Sequence, residues 1–198
     1  MKDFKLTLLE CVPHGSVRLT SEEGQVTSYR VSKNRLSNFQ ETDELKQSGI
    51  YLLLGTDTVS RKQAMYIGKS NRRRSGTGVL NRVREHIGRK DNFDWQTAIM
   101  IVSKHGYLNI TETSYLENFF YALFGQTQSF MIKNKSTPFV DILPLDDQVK
   151  LSDFGKEAIE HIQLLDYSNH FISTDYLVSQ LEAELETVAN YYDGHSSW

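Results

Sequence analysis

The chain begins with three short stretches in which apolar and polar residues alternate. Apolar side chains recur at every second position from Phe4 to Leu8, a second stretch contains Val17 and Leu19, and a third covers 26–31. The triplets PHG and EEG, typical of turns, separate them. A period of two is typical of strands with one buried face. Residues 1–44 therefore predict a β-rich extension that contains a β-meander. The polar segment 34–47 predicts a short helix or a loop that leads into the next part of the chain.

A β-hairpin is predicted next. Residues 49–54 and 64–68 are apolar, and a polar loop at 56–63 separates them. Side chains alternate along a strand, so Tyr51 and Tyr66 share one face of the hairpin if its strands pair in the corresponding register. Tyrosine is common in strands, so the two hydroxyls alone fit packing as well as chemistry.

Three further elements complete the central part of the chain. Apolar residues at four-residue spacing predict a helix over 79–87. The nearly continuous apolar run 95–103 predicts a central strand covered on both faces. Residues 113–125 predict a second helix, with Gly125 just past its end. Together with the hairpin, these elements predict a mixed α/β core over 45–137.

The last part of the chain, residues 138–198, has a helical pattern. Ser152 and Thr174 are predicted N-caps of two helices, each with an apolar stripe on one face and acidic residues on the other. Such stripes could pair with another chain, for example in a homo-oligomer. A protein-interaction role for this region is therefore one hypothesis.

Charge is distributed unevenly along the 198 residues. The net charge is −3, but residues 61–90 contain ten Lys and Arg against one acid, Glu85, a local net charge of +9. A local positive surface attracts phosphate, whereas a solvated helix face usually mixes both signs. We therefore expect DNA contact here. The candidate nucleic-acid-binding residues are Lys69, Arg72, Arg73, Arg74, Arg84, Arg89 and Lys90.

Other features of the composition narrow the class of protein. The single cysteine, Cys11, excludes an internal disulfide and a cysteine-based zinc cluster. The first residues lack the apolar core of a signal peptide, and no apolar run approaches the ~20 residues of a membrane span. We expect a cytoplasmic protein with no membrane partner.

Three charged or titratable residues stand beside predicted apolar faces. Arg82 and His86 are four apart, on one face of the first helix. Glu117 is the only charged residue from Tyr115 to Phe124 and lies at the edge of that helix's buried face. A carboxylate there is costly unless it is paired or binds a metal. Each residue alone is also compatible with an ordinary surface.

Taken in order, these features resemble a known family. The triplets GIY at 49–51 and YIG at 66–68, the Arg–His pair in the next helix, and ENFF at 117–120 resemble the GIY-YIG nucleases over residues 48–135. The resemblance implies an α/β core with a three-stranded, mostly antiparallel sheet flanked by helices. It implies a divalent-metal-dependent endonuclease that hydrolyses DNA phosphodiester bonds. Repair, restriction and mobile-element proteins all use this core, and fold does not choose among them.

The resemblance also implies roles for individual residues. Tyr51 and Tyr66 would place their hydroxyls at the scissile phosphate, with His86 orienting Tyr51. Arg82 would stabilise charge on the phosphoryl oxygens, and Glu117 would bind one Mg²⁺ or Mn²⁺. The complete implied catalytic set is Tyr51, Tyr66, Lys69, Arg82, His86, Glu117 and Asn134.

The chemistry and the departures from the family leave alternatives open. A free tyrosine has a pKa of ~10, and we expect Lys69, Arg82 and the metal to favour a phenolate; which tyrosine is the base stays open. The connection from Gly68 to Arg82 is longer than in compact family members and contains NRRR, either a phosphate clamp or a disordered loop. No zinc finger or helix-turn-helix pattern is evident. A catalytically inactive nucleic-acid-binding module is the alternative function.

Overall fold

The computed structural model describes residues 3–10, 15–71, 78–89, 92–106, 108–127, 129–139 and 143–165. Several predictions from the sequence lie outside the described residues. They concern the PHG turn in part, the helix capped by Thr174, and four candidate DNA-binding residues. Those four are Arg72, Arg73, Arg74 and Lys90.

The fold is mixed α/β and is built on one mostly antiparallel sheet. Its strands are β1 (Phe4–Leu8), β2 (Val17–Ser21), β3 (Val26–Ser32), β4 (Gly49–Asp57), β5 (Gln63–Ser70), β6 (Phe93–Ser103) and β7 (Met131–Ile132). Their order is β1-β2-β3-β6-β4-β5-β7, and only the β5–β7 pair is parallel. The predicted meander, hairpin and central strand are confirmed. The predicted number of strands in the core sheet, three, is too small, because β3 pairs with β6 and joins the N-terminal strands to the same sheet.

Helices cover both faces of this sheet. The described α-helices are α1 (Val79–Arg84), α2 (Ile110–Gln126) and α3 (Leu145–Leu165), and two 3-10 segments span Lys33–Phe39 and Asp43–Lys46. Helix α2 begins with a capping box, in which Asn109 accepts from the Glu112 N–H and Glu112 accepts from the Asn109 N–H. Among the described residues, no helix is both long and apolar enough to cross a bilayer.

Three predicted helix boundaries are wrong. The first helix ends at Arg84 instead of continuing to Ile87, whose side chain is exposed. The chain then turns through Gly88, which has a φ of 81°. Gly125 lies inside α2 instead of following it, and Ser152 is buried within α3 instead of capping it. Ser152 lies among buried residues of α3, whereas Gly125 is exposed and has no neighbour within 4 Å of its Cβ position.

The two faces of the sheet bury separate apolar clusters. Ile50 and Leu52 of β4 pack with α2 and α3, whereas Tyr51 and Leu53 pack with α1 and the 3-10 segments. This division is the one that alternation along β4 predicts. Past Met65, where its pairing with β7 ends, β5 forms the edge of the sheet, and residues from both layers can meet around it.

Helix α3 differs from its predicted pattern in one respect. Its apolar stripe is buried as expected, but Glu157 is buried with it instead of facing solvent. The Glu157 carboxylate accepts hydrogen bonds from the Ser21 hydroxyl and from the backbone N–H groups of Gln25 and Val26. This acid therefore attaches α3 to the β2–β3 turn and satisfies two backbone donors there.

Candidate active site

The two hairpin tyrosines lie on one face of the sheet. In the β4–β5 register, Tyr51 is opposite Gly68 and Leu53 is opposite Tyr66, so the phenols are diagonal neighbours. Their ring centroids are 6.1 Å apart. The predicted shared face is confirmed.

The glycines of both triplets are required by close packing. A Cβ added to Gly68 would lie 2.9 Å from Cε1 of Tyr51 and nearer still to Cζ and the hydroxyl oxygen. A Cβ added to Gly49 would overlap the carbonyl oxygen of Ile101 on the neighbouring strand. The Tyr51 ring thus lies directly over β5 because Gly68 has no side chain.

His86 lies against both phenols. It follows α1 in a turn instead of lying within the helix, and its Nε2 is 2.9 Å from the Tyr51 hydroxyl oxygen. The imidazole centroid is 5.5 Å from that of Tyr51 and 4.7 Å from that of Tyr66. Burial, followed by the positive charges of Arg89 and Arg82, lowers the pKa of His86 to about 4. The imidazole is therefore neutral at neutral pH and can exchange a hydrogen bond with Tyr51.

Tyr51 and Tyr66 have different environments. Tyr51 is only 1% exposed, and burial raises the pKa of its phenol above the ordinary value, which the charge of Arg82 does not offset. Arg82 by itself therefore does not favour a phenolate at Tyr51, and the expectation that Lys69, Arg82 and a bound metal together favour one stays a prediction. Tyr66 is half-buried and lines an open groove. It is the more accessible of the two phenols.

Glu117 approaches from the opposite layer. It lies on α2, where its side chain is 14% exposed, and its Oε2 is 3.2 Å from the ammonium of Lys69. Lys69 also donates to the Ser114 hydroxyl at 2.8 Å. Although α2 packs on the other face of the sheet, Glu117 is close enough to Tyr51 to affect its ionisation. The carboxylate and the phenols therefore meet around the edge of β5.

An open groove of ≈ 730 Å³ runs along this edge. Tyr66, His86 and Glu117 line it, and residues 133–139, which follow β7, form one side. We call residues 133–139 the groove wall. The groove is open here because β7 is only two residues long and pairs with β5 at Ala64 and Met65, away from Gly68.

Asn134 anchors the groove wall. Its Oδ1 accepts from the Ile67 N–H at 3.0 Å, and its Nδ2 donates to the Ile67 carbonyl at 2.7 Å. The side chain thus imitates a strand partner for β5 where β7 has already ended. This geometry gives Asn134 a positioning role, whereas the resemblance implies a catalytic one.

The arginines of the basic segment separate into three environments. Arg82 forms an ion pair with Glu85 and interacts electrostatically with both phenols. Arg89 lines the groove, and Arg84 is exposed but is not part of the groove lining. Of these described arginines, Arg89 therefore faces the candidate groove and Arg84 does not.

Apart from Asn134, the groove wall was not identified from the sequence. Its residues Lys133, Lys135 and Phe139 line the groove together with Trp95. The sequence KNKSTPF contains two lysines and an aromatic residue, which is a weak signal for phosphate and base contact. The segment lies outside the basic run 61–90, so only the fold brings it to the tyrosines.

The donor set for a cation is small. The described residues contain no cluster of three or more His, Cys, Asp or Glu that could hold a metal. Glu117 is the only carboxylate that lines the groove in the part of the chain that the structure describes. Mg²⁺ often uses one or two carboxylates and keeps several waters or phosphate oxygens, so one carboxylate beside a phosphate site fits this ion.

Comparison with known proteins adds no further assignment. The chain matches no family model, no curated protein and no solved structure.

Proposed function

We propose that the protein is a divalent-metal-dependent endonuclease that hydrolyses phosphodiester bonds of DNA in this groove, with a GIY-YIG type of active site. The observation that carries the proposal is the meeting of Tyr51, Tyr66, His86 and Glu117 at one sheet edge, from four separate elements or turns. Titratable groups with shifted pKa values that converge beside a groove are typical of functional sites.

Accessibility suggests different roles for the two phenols. Tyr66 faces the groove and can donate a hydrogen bond to a bound phosphate or an attacking water. Tyr51 is covered, so it acts through its hydrogen bond with His86. Because His86 is neutral, this hydrogen bond can hold the imidazole beside Tyr66 while both partners stay uncharged.

Positive charge would stabilise the phosphorane-like transition state. The guanidinium of Arg82 is near both phenols, and Arg89 is on the same groove. Fixed charges of this kind stabilise developing negative charge without reorganisation. A bound phosphate would share Arg82 with its present partner Glu85 or displace that carboxylate.

Glu117 would hold the divalent ion. A bound Mg²⁺ or Mn²⁺ would polarise a phosphoryl oxygen and neutralise charge there. Without the ion, Lys69 balances the Glu117 carboxylate and limits the cost of partly burying it.

A plasmid-nicking assay tests the proposal. Supercoiled plasmid is incubated with Mg²⁺ or Mn²⁺, or with EDTA, and with wild type, Glu117→Gln or Glu112→Gln protein. Glu112 is the matched control because it lies on the same helix and glutamine also completes a capping box. We expect metal-dependent nicking that Glu117→Gln lowers by at least about 100-fold and Glu112→Gln leaves unchanged.

Two results would contradict this function. Nicking that survives in Glu117→Gln would exclude the proposed role of the carboxylate. If the purified protein shifts DNA on a gel but never cleaves it, the nuclease proposal is wrong and the inactive binding module replaces it.

A further inference from the structure

Phe139 is an unusual part of the groove lining. Its side chain is 76% exposed, although it is a large apolar residue. It lies on the same groove as Tyr66 and Glu117, among side chains that are mostly polar or charged. Exposing an aromatic ring beside a candidate phosphate site favours a ligand that has both an apolar face and a charge.

The groove wall holds Phe139 in place. Asn134 attaches the start of the wall to Ile67, and Asn118 of α2 donates to the Pro138 carbonyl at 2.9 Å. Pro138 itself has a restricted φ and limits the preceding residue to extended conformations. The backbone that leads to the ring is therefore held at Asn134 and again at Pro138, directly before Phe139.

Cations line the same groove as the ring. Lys135 and Arg89 line the groove, and neither makes an ion pair with a carboxylate of the described residues. Lys133 is different, because its ammonium is 2.7 Å from Asp57. Two cations of the groove thus remain available to phosphates of a nucleotide at Phe139, and cations combined with an exposed aromatic ring are found in sites for single strands.

We propose that Phe139 stacks on an unpaired base of the substrate, so that the groove selects nucleic acid with an unpaired base next to the scissile phosphate. This inference rests on the proposed function and names its substrate class. In a continuous duplex each base is covered by its neighbours, so an exposed ring gains nothing unless a base is unstacked. An unpaired base offers that face without the cost of unstacking a pair.

A binding experiment in EDTA tests the inference without requiring cleavage. The probes are a labelled duplex with both ends closed by non-nucleotide linkers, and the same duplex with a short central stretch of unpaired bases. Fluorescence anisotropy gives the affinity of each for wild type, Phe139→Ala and Phe139→Trp. The control is Val59→Ala, because Val59 is 73% exposed but lies in the β4–β5 loop and does not line the groove.

We expect wild type and Phe139→Trp to bind the probe with unpaired bases about 10-fold more tightly than the closed duplex. Phe139→Ala should lose this preference and keep its affinity for the closed duplex, while Val59→Ala should behave as wild type. Lys135→Ala should weaken binding of both probes by a similar factor.

The outcomes separate this inference from the proposed function. Equal affinity of wild type for both probes, or an unchanged preference in Phe139→Ala, would overturn the inference. If the plasmid assay nevertheless shows Glu117-dependent nicking, the proposed function stands. If wild type binds neither probe and does not nick plasmid, both are wrong.

Discussion

Replacing Gly68 by alanine tests the packing on which the candidate site depends. The new methyl group would lie 2.9 Å from Cε1 of Tyr51 and closer to two further atoms, whereas carbon atoms normally approach to about 3.5–4.0 Å. Tyr51 is almost fully buried and its hydroxyl is hydrogen-bonded to His86. The ring therefore cannot move aside without losing other contacts.

The expected cost follows from these contacts. Overpacking a core typically costs about 1–3 kcal/mol, and weakening the Tyr51–His86 hydrogen bond costs roughly 1 kcal/mol more. We expect Gly68→Ala to lower the free energy of unfolding by about 2–4 kcal/mol. Urea denaturation followed by circular dichroism measures this change.

Gly125→Ala is the matched control. A Cβ at Gly125 would have no neighbour within 4 Å, and the residue is exposed near the end of α2. Alanine there should raise the free energy of unfolding by up to about 1 kcal/mol, because it favours the helix. The two glycine substitutions should therefore change stability in opposite directions.

A double-mutant cycle identifies the cause. In a Tyr51→Ala background the methyl group at position 68 has no ring to overlap, so the added cost should fall to below about 0.5 kcal/mol. An unchanged cost in that background, or a Gly68→Ala protein as stable as wild type, would refute the packing argument.

Three further predictions concern stability. Glu157→Gln should lower the free energy of unfolding by about 1–3 kcal/mol in urea denaturation, because the amide nitrogen cannot accept the hydrogen bonds now made to one carboxylate oxygen; a neutral effect would contradict that network. In the folded protein the pKa of His86 is about 4, below the unfolded value near 6.5. The unfolded chain therefore binds a proton first as the pH falls, so the stabilisation from the neutral His86 is complete above pH 6.5 and declines towards pH 4. Between pH 7 and pH 5, the free energy of unfolding of wild type should therefore fall by about 1 kcal/mol more than that of His86→Gln, after allowance for partial solvation. Urea denaturation at both pH values measures this, and an equal fall for the two proteins would exclude it. Asn109→Ala should cost about 0.5–2 kcal/mol through loss of the α2 cap, with Asn109→Asp as a control that retains it.

Much of the candidate site could be predicted from local patterns. The two apolar runs and the polar loop between them predicted a hairpin with Tyr51 on one strand and Tyr66 on the other. Alternation along each strand, in the observed register, brings both side chains to one face. Glu117 was recognised by its isolation among apolar residues of α2. The shared face of the two tyrosines was predicted correctly because strand alternation depends only on neighbours in the chain, whereas the metal-binding role of Glu117 stays a prediction.

Other features depended on residues far apart in the sequence. The first helix ended early, and His86 reached Tyr51 from a turn, which local spacing did not predict. Glu157 was predicted to face solvent, but backbone donors of the β2–β3 turn made its burial favourable. Propensity and periodicity contain no information about such distant partners.

The sequence by itself determined the hairpin, its two phenols, the central strand and the candidate carboxylate. Only the tertiary structure decided that Glu117, from one layer, meets the phenols of the other around β5, and that Asn134 and Asn118 hold Phe139 beside them. It also decided the ionisation of the site, because burial sets the pKa of Tyr51 and His86. The physical reason is that periodicity is local, whereas burial, close approach and electrostatic environment arise from segments that meet only in the folded chain.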